Sequence, residues 1–287
     1  ATALVCLGVP GSAAVALAID FPYPIYPVLG LLLLSAIVAS SYAFKQQMCR
    51  YLRWFMLLLA GVFWLLWTSK IKTIPACAEP VAAAMYPDWF FPVLFLFWAV
   101  YLATVLLNVL KKDLRLGYFE SIIPTVTAIG AFSAGNVAVS NWFQREDWFY
   151  TVIAIVATLH LGLAWWLARR DREKAAGSNI FILAGACLIM LTSAAVFRND
   201  IGYVLPVWSA SALALGLLSV AWHNQGVRLT SYLMQAASCT AALLTGVFLL
   251  PYTLPAATAA AGAICLFSLV HYRWSRNQPP ETAPSFY

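Results

Sequence analysis

Histidine is the scarcest side chain in this sequence that can do acid–base or ligand chemistry. The chain has three histidines, and His160 begins the apolar run HLGLAWWLARR, nine residues before Arg169. A helix rising about 1.5 Å per residue would place it roughly 13 Å from that charged end. A buried imidazole needs a hydrogen-bond partner, and we expect this partner to come from another span. We expect His160, Asn136 and Ser133 to form polar contacts between helices or to line a cavity.

A cofactor site would require more than one such residue. A haem held by two histidines needs both at similar depth, and His223 and His271 lie near the predicted cytoplasmic ends of their helices. One chain therefore does not place two histidines where they could bind the same haem. We expect no bound cofactor.

Cysteines and carboxylates give no catalytic or metal-binding pattern. No CxxC or other metal-ligand spacing occurs among the cysteines, which stand at positions 6, 49, 77, 187, 239 and 265. Cys77 falls in a predicted external loop, where no histidine is available as a base. Glu146 and Asp147 are adjacent, and neighbouring residues do not face each other across a site. We expect no catalytic residue, no metal site and no enzyme.

The helices that position these residues can be predicted from the high hydrophobicity of the chain, which indicates a lipid environment. The chain has 287 residues, of which 63% are hydrophobic and 10% charged, and its mean hydropathy is +0.81. A hydrocarbon core of roughly 30 Å needs about 20 apolar residues per helix. This pattern predicts an all-α, polytopic transmembrane helical bundle of about ten spans: 2–19, 25–44, 51–69, 89–110, 121–140, 148–168, 179–197, 203–222, 230–250 and 254–271.

Basic residues predict the orientation of these spans. One set of predicted connections holds thirteen Lys and Arg residues and the other set holds four. The positive-inside rule then places both termini in the cytoplasm. We expect a multi-pass protein of a bacterial inner membrane, with about five helical hairpins in residues 1–271 and a cytoplasmic tail in 272–287. The basic excess is explained by this topology and by anionic lipid heads, so it does not indicate nucleic-acid binding.

Charge is scarce within the predicted spans. As they are drawn, Arg53 is the only Asp, Glu, Lys or Arg inside one, and its place near the start of the third span indicates an interfacial residue. Ion-coupled pumps ordinarily carry charged groups in the membrane. Small residues recur instead: Thr127, Ala131 and Gly135 at every fourth position, and Gly185 between two alanines, which predict close helix packing.

Two passages resemble a known family. They are CRYLRWFMLLLAGVFWLLW (49–67) and IGYVLPVWSASALALGLLSVAWHNQGVRLTSYLMQ (201–235). Their tryptophan-bearing aliphatic spans and Arg-Leu helix starts resemble the bacterial predicted-membrane-protein family called domain of unknown function 2339. Members of that family are usually longer, so the chain resembles a short relative or a portion of one. The resemblance implies a membrane protein and assigns no activity or site residue. In size and topology the chain also resembles the drug and metabolite transporter architecture.

Three functions can be weighed from these patterns. The first is a non-catalytic integral inner-membrane subunit that packs against membrane lipids, other membrane-protein subunits or copies of itself. The second is a transporter or flippase for a neutral or amphipathic small solute, with its cavity near His160, Asn136 and Ser133. The third, a membrane enzyme or haem carrier, is disfavoured by the histidine and cysteine spacing.

Overall fold

The fold consists of helices in every part that the structure describes. The structure is a computed structural model, and it describes residues 11, 26–45, 51–73, 87–110, 118–143, 146–170, 175–197, 200–222, 224–244 and 254–276. Within these ranges lie nine α-helices: α1 (Tyr26–Lys45), α2 (Leu52–Thr73), α3 (Phe90–Leu110), α4 (Tyr118–Ala138), α5 (Glu146–Arg170), α6 (Ala175–Val196), α7 (Ile201–Ala221), α8 (Gln225–Leu244) and α9 (Leu254–Arg276). A 3₁₀ turn precedes α3 at Pro87–Trp89, and a π-helical turn, Val139–Phe143, follows α4.

Six of the described helices, α2 to α7, are long and apolar enough to cross a membrane. Their lengths of 20 to 24 residues match the hydrocarbon thickness. They indicate a multi-pass helical membrane protein. The apolar part of α1 described as Tyr26–Tyr42 is shorter. The predicted span 2–19 lies outside the described residues, apart from Gly11.

Several helices begin or end away from the predicted positions. Helix α4 begins at Tyr118 and not at 121, which brings Glu120 into its first turn. Helix α8 begins at Gln225 and not at 230, because the side chain of Asn224 accepts hydrogen bonds from the backbone N–H groups of Gly226 and Val227. Helix α9 continues past residue 271 to Arg276, so the predicted tail begins with helical residues.

The contacts divide the chain into two units, Ala1–Thr151 and Val152–Tyr287, and the division falls within α5. The prediction of a single bundle over 1–271 stays a prediction. In the first unit, aromatic rings form the core between α1, α2 and α3. Tyr26 stacks on Trp67 at 5.3 Å between ring centroids, and Phe63 stacks on Phe97 at 5.8 Å.

In the second unit, small and polar residues bring the helices together. A Cβ added at Gly185 of α6 would lie 3.3 Å from the carbonyl oxygen of Ala157 on α5, so these two backbones approach closely. The indole N–H of Trp208 on α7 donates to the Ser193 hydroxyl on α6 at 3.0 Å. Small side chains and interhelical hydrogen bonds thus hold this unit together.

Candidate functional site

A cavity in the first unit is the strongest candidate site. It lies between α2, α3 and α4 and has a volume of about 340 Å³. Ligand pockets in proteins measure about 300 to 1,000 Å³, so the space suits a small molecule. Among the described residues that line it, none is charged. We call it the first-unit cavity.

The walls of the first-unit cavity differ in character. Large rings line it from α2 and α3, while α2 and α4 contribute small residues. The rings are those of Trp64, Phe97, Trp98 and Tyr101, and the small residues are Ala60, Gly61, Gly130, Ala131, Ser133 and Ala134. The rings contact each other edge to face, with Trp64 and Phe97 at 5.4 Å between centroids. The cavity exists because small residues of α4 stand opposite bulky rings without filling the space between them.

Exposed residues mark the mouth of the cavity. Gly61 and Leu65 on α2 and Val126 and Gly130 on α4 all line the cavity and are exposed at the surface. A Cβ added at Gly61 or Gly130 would meet no atom within 4 Å. The mouth therefore opens sideways between α2 and α4.

Two hydroxyl groups of the cavity donate to carbonyl oxygens of their own helices. Thr68 donates to the carbonyl oxygen of Trp64 at 2.7 Å, and Thr127 donates to that of Ile123 at 2.8 Å. Tyr101 differs, because its residue is only 4% exposed and its hydroxyl has no hydrogen-bond partner in the described part of the chain. A buried polar group of this kind calls for an explanation.

A buried ion pair joins α2 and α4 at one end of the same unit. The guanidinium of Arg53 donates to the carboxylate of Glu120 at 2.5 Å, and both side chains are 7% exposed. The amide of Asn108, near the end of α3, approaches the same carboxylate oxygen at 3.4 Å. The Arg53 guanidinium also lies over the Phe119 ring, 4.4 Å from its centroid. The pair fixes the ends of the three helices that form the cavity.

This pair corrects the sequence interpretation. Arg53, expected near the membrane interface, is buried within the protein at the start of α2, and Glu120 is an acidic residue inside a helix that can span the membrane. The prediction that the spans carry no acidic residue is wrong at this position. The reason is that each charge compensates the other, which allows both to leave water. Arg53 and Glu120 are 67 residues apart, so no local spacing indicates the pair.

Of the sequence-predicted site residues, Ser133 and Asn136 lie in the first unit. Ser133 lines the first-unit cavity. The side-chain carbonyl of Asn136 accepts a hydrogen bond from the Tyr150 hydroxyl at 2.9 Å, which ties α4 to the start of α5.

His160 lies in the second unit, on α5, and is fully buried. Its Nδ1–H donates to the carbonyl oxygen of Val156 at 2.9 Å, and its ring lies 6.3 Å from that of Phe181 on α6. The expectation that its partner must come from another span is incomplete, because the side chain leans back toward the preceding turn of its own helix. A contact between His160 and Asn136 or Ser133 stays a prediction.

The second unit also holds a buried serine–histidine pair that sequence reasoning did not identify. The Ser231 hydroxyl on α8 lies 2.9 Å from Nε2 of His271 on α9, and it donates to the carbonyl oxygen of Ala212 on α7 at 2.6 Å. A hydroxyl has one proton, so Ser231 accepts from the N–H of His271. In a nucleophilic pair the serine would instead donate to the histidine. This arrangement links three helices.

A second polar contact extends the same α8–α9 seam. The Gln235 amide donates to the Ser268 hydroxyl, and the Cys239 sulfur lies 3.8 Å from that hydroxyl. Cys187, Cys239 and Cys265 are free thiols. Within the described ranges, no group of three His, Cys, Asp or Glu residues is arranged to hold a metal ion.

Comparison of the chain with protein-family models, with curated proteins and with solved structures gives no match. The resemblance to the family called domain of unknown function 2339 therefore stays a prediction. The site must be interpreted from its own geometry.

Proposed function

We propose that the chain is a multi-pass membrane protein that binds a neutral or amphipathic small solute in its first-unit cavity. The observation that carries this proposal is an uncharged cavity of about 340 Å³ that opens sideways among helices able to span a membrane. Binding sites are commonly apolar cavities with a few polar groups. This agrees with the transporter or flippase hypothesis, because a transporter must first bind its solute.

The lining residues support a neutral solute over an ion. Moving a bare charge into a low-dielectric site is costly unless an opposite charge or several polar groups receive it. Arg53 and Glu120, which lie on two of the helices that form the cavity, are paired with each other. An uncharged solute meets no such cost.

The finer topology belongs to the same proposal. We propose about ten spans with both termini in the cytoplasm of a bacterial inner membrane. The end of α5 supports a membrane boundary at this position, because Arg169 lies over Trp165 at 4.2 Å and Arg170 over Trp166 at 5.2 Å. Arginine and tryptophan together anchor a helix end at the head-group level.

A matched pair of glycine substitutions tests the binding function. Gly130→Leu would place a side chain in the mouth of the cavity, where an added Cβ meets nothing. Gly162→Leu makes the same change at an exposed glycine of α5 in the second unit, where an added Cβ also meets nothing. Circular dichroism and thermal unfolding would establish that both variants fold.

The measurement is titration of the detergent-purified protein with 1-aminoanthracene, a neutral fluorophore that brightens in apolar sites. We expect saturable binding in the original chain and in Gly162→Leu, and affinity at least tenfold weaker in Gly130→Leu. Equal titrations of the two folded variants, or unsaturable partitioning in all three, would overturn the proposal.

A second candidate is the non-catalytic membrane subunit, favoured by the second unit. Its buried polar groups join α7, α8 and α9 to one another through Ser231, His271 and Ala212. Such contacts give rigidity rather than a binding space. Stoichiometric co-purification of another membrane protein after gentle detergent extraction would support this function, and a chain that remains alone would count against it.

A further inference from the structure

We infer that the ligand of the first-unit cavity is a neutral carbonyl compound dissolved in the membrane hydrocarbon, which enters sideways between α2 and α4 and accepts a hydrogen bond from Tyr101. This inference rests on the proposed function and adds the chemical class of the ligand and its route.

The depth of the mouth indicates the route. Gly61 lies eight residues beyond Arg53 on α2, and Gly130 lies ten residues beyond Glu120 on α4. At about 1.5 Å per residue, both glycines stand roughly 12 to 15 Å from the ion pair. Both glycines also stand near the middle of the apolar spans Leu52–Lys72 and Tyr118–Asn141, so the mouth opens near the middle of a hydrocarbon core about 30 Å thick. A molecule at that depth comes from the hydrocarbon and not from water.

The depth of Tyr101 indicates where the polar group of the ligand lies. Tyr101 is seven residues before Asn108 on α3, and Asn108 contacts the same ion pair, so Tyr101 stands roughly 10 Å from it. The ester groups of a bilayer phospholipid remain near the head groups, at the edge of the hydrocarbon. A carbonyl that reaches Tyr101 therefore belongs to a molecule that enters the membrane as a whole.

The Tyr101 hydroxyl indicates the hydrogen-bonding character of that ligand. It is buried and has no partner among the described residues, while Thr68 and Thr127 donate to their own helices. A phenol is both a donor and an acceptor, and an uncharged carbonyl oxygen is the simplest partner that carries no cost of burying charge.

The shape of the cavity favours a flat group. Rings of Trp64 and Phe97 line one side, and the small residues Gly130 and Ala131 line the other. Aromatic side chains contact other rings favourably in stacked or edge-to-face arrangements. A carbonyl attached to a ring, with an alkyl chain that leaves through the mouth, suits these walls.

The test uses two probes that differ only at the carbonyl: nonanophenone, a phenyl ketone with an alkyl chain, and nonylbenzene, in which a methylene replaces the carbonyl. Each would be titrated against bound 1-aminoanthracene in the detergent-purified protein. We expect nonanophenone to bind about tenfold more tightly, which is the effect of one net hydrogen bond. Tyr101→Phe should remove this preference and leave the affinity for nonylbenzene unchanged.

Tyr118→Phe is the matched control, because Tyr118 lies on α4 and is 88% exposed. It should keep the tenfold preference. Equal affinity of the two probes in the original chain, or a preference that survives Tyr101→Phe, would overturn the inference while leaving solute binding intact. Displacement of nonanophenone by a short-chain phospholipid at similar concentration would also overturn it, in favour of an anchored lipid. If neither probe displaces a fluorophore that itself binds saturably, the inference fails and the proposed function stands; the proposed function fails only when the fluorophore itself shows no saturable binding.

Discussion

The two units of this chain bury polar groups in different ways. In the first unit, the ion pair of Arg53 and Glu120 joins the starts of α2 and α4, and aromatic rings pack against one another in the core. In the second unit, hydroxyl, amide and imidazole groups such as Ser231, Gln235 and His271 bond between helices. Rings cannot match the small residues of α4 everywhere, so the first unit keeps a cavity. Small residues such as Gly185 and Gly216 allow the helices of the second unit to approach closely.

This difference relates to function through packing. Helices in lipid associate through close backbone approach and interhelical hydrogen bonds, because lipid is as apolar as the helix surfaces. A unit held mainly at one end by a charge pair can leave space farther along the same helices. We expect a unit held by contacts spread along its helices to leave less space for a solute. The comparison predicts that substitutions will affect the two units in different ways.

The largest expected effect comes from removing one charge of the first-unit ion pair. Glu120→Gln keeps the size of the side chain but leaves the Arg53 guanidinium buried without its carboxylate. Removing one partner of a buried pair costs about 3 to 5 kcal/mol of unfolding free energy. Thermal unfolding of the purified protein, followed by circular dichroism, measures this loss.

The control replaces both members of the pair. Arg53→Met combined with Glu120→Met removes both charges, and we expect it to regain most of the stability lost by Glu120→Gln, because no unpaired charge remains. A loss below about 1 kcal/mol for Glu120→Gln would show that the pair behaves as a surface salt bridge.

A smaller effect is expected from the second-unit seam. Ser231→Ala removes the hydroxyl that donates to Ala212 and accepts from His271. Loss of buried hydrogen bonds of this kind costs about 1 to 3 kcal/mol. Ser35→Ala is the control, since Ser35 is exposed and donates only within its own helix, to Leu32. Its unfolding free energy should change by less than about 0.5 kcal/mol. Equal losses of unfolding free energy in the two variants would show that the Ser231 hydrogen bonds stabilise the protein no more than an exposed serine does.

Sequence patterns predicted the helices better than the contacts between them. Hydropathy identified the six helices that can span a membrane, because each is a continuous apolar run. The predicted close packing is present at Gly135, where an added Cβ would overlap the Phe149 ring, and at Gly185, which packs against Ala157 and Leu161. Thr127 and Ala131, from the same predicted pattern as Gly135, line the first-unit cavity instead. These signals are local, so they survive without knowledge of which helices are neighbours.

The site depended on information that local patterns do not contain. The cavity forms where α2, α3 and α4 meet, and Trp64, Tyr101 and Ser133 are brought together only by that packing. Glu120 was placed just before a span, since a carboxylate reads as a loop residue until its partner Arg53 is known. His160 was expected to need another helix, although the carbonyl of Val156 lay within reach.

The smallest expected effect is that of replacing glycine by alanine, which should change the unfolding free energy in opposite directions at two glycines of the second unit. Glycine to alanine in a helix stabilises by about 0.4 to 1 kcal/mol when the space is free, because alanine loses less backbone entropy on folding. At Gly262 an added Cβ meets nothing within 4 Å, so Gly262→Ala should raise the unfolding free energy by that amount. At Gly216 the added Cβ would lie 3.0 Å from His271 Nε2 and 3.1 Å from the Ser231 hydroxyl. Moving these atoms apart weakens their hydrogen bond, so Gly216→Ala should lower the unfolding free energy by about 1 kcal/mol. Thermal unfolding of both variants measures the signs. Stabilisation by both would mean that Ser231 and His271 move apart without loss, in which case close packing at Gly216 does not contribute to the stability of the second unit.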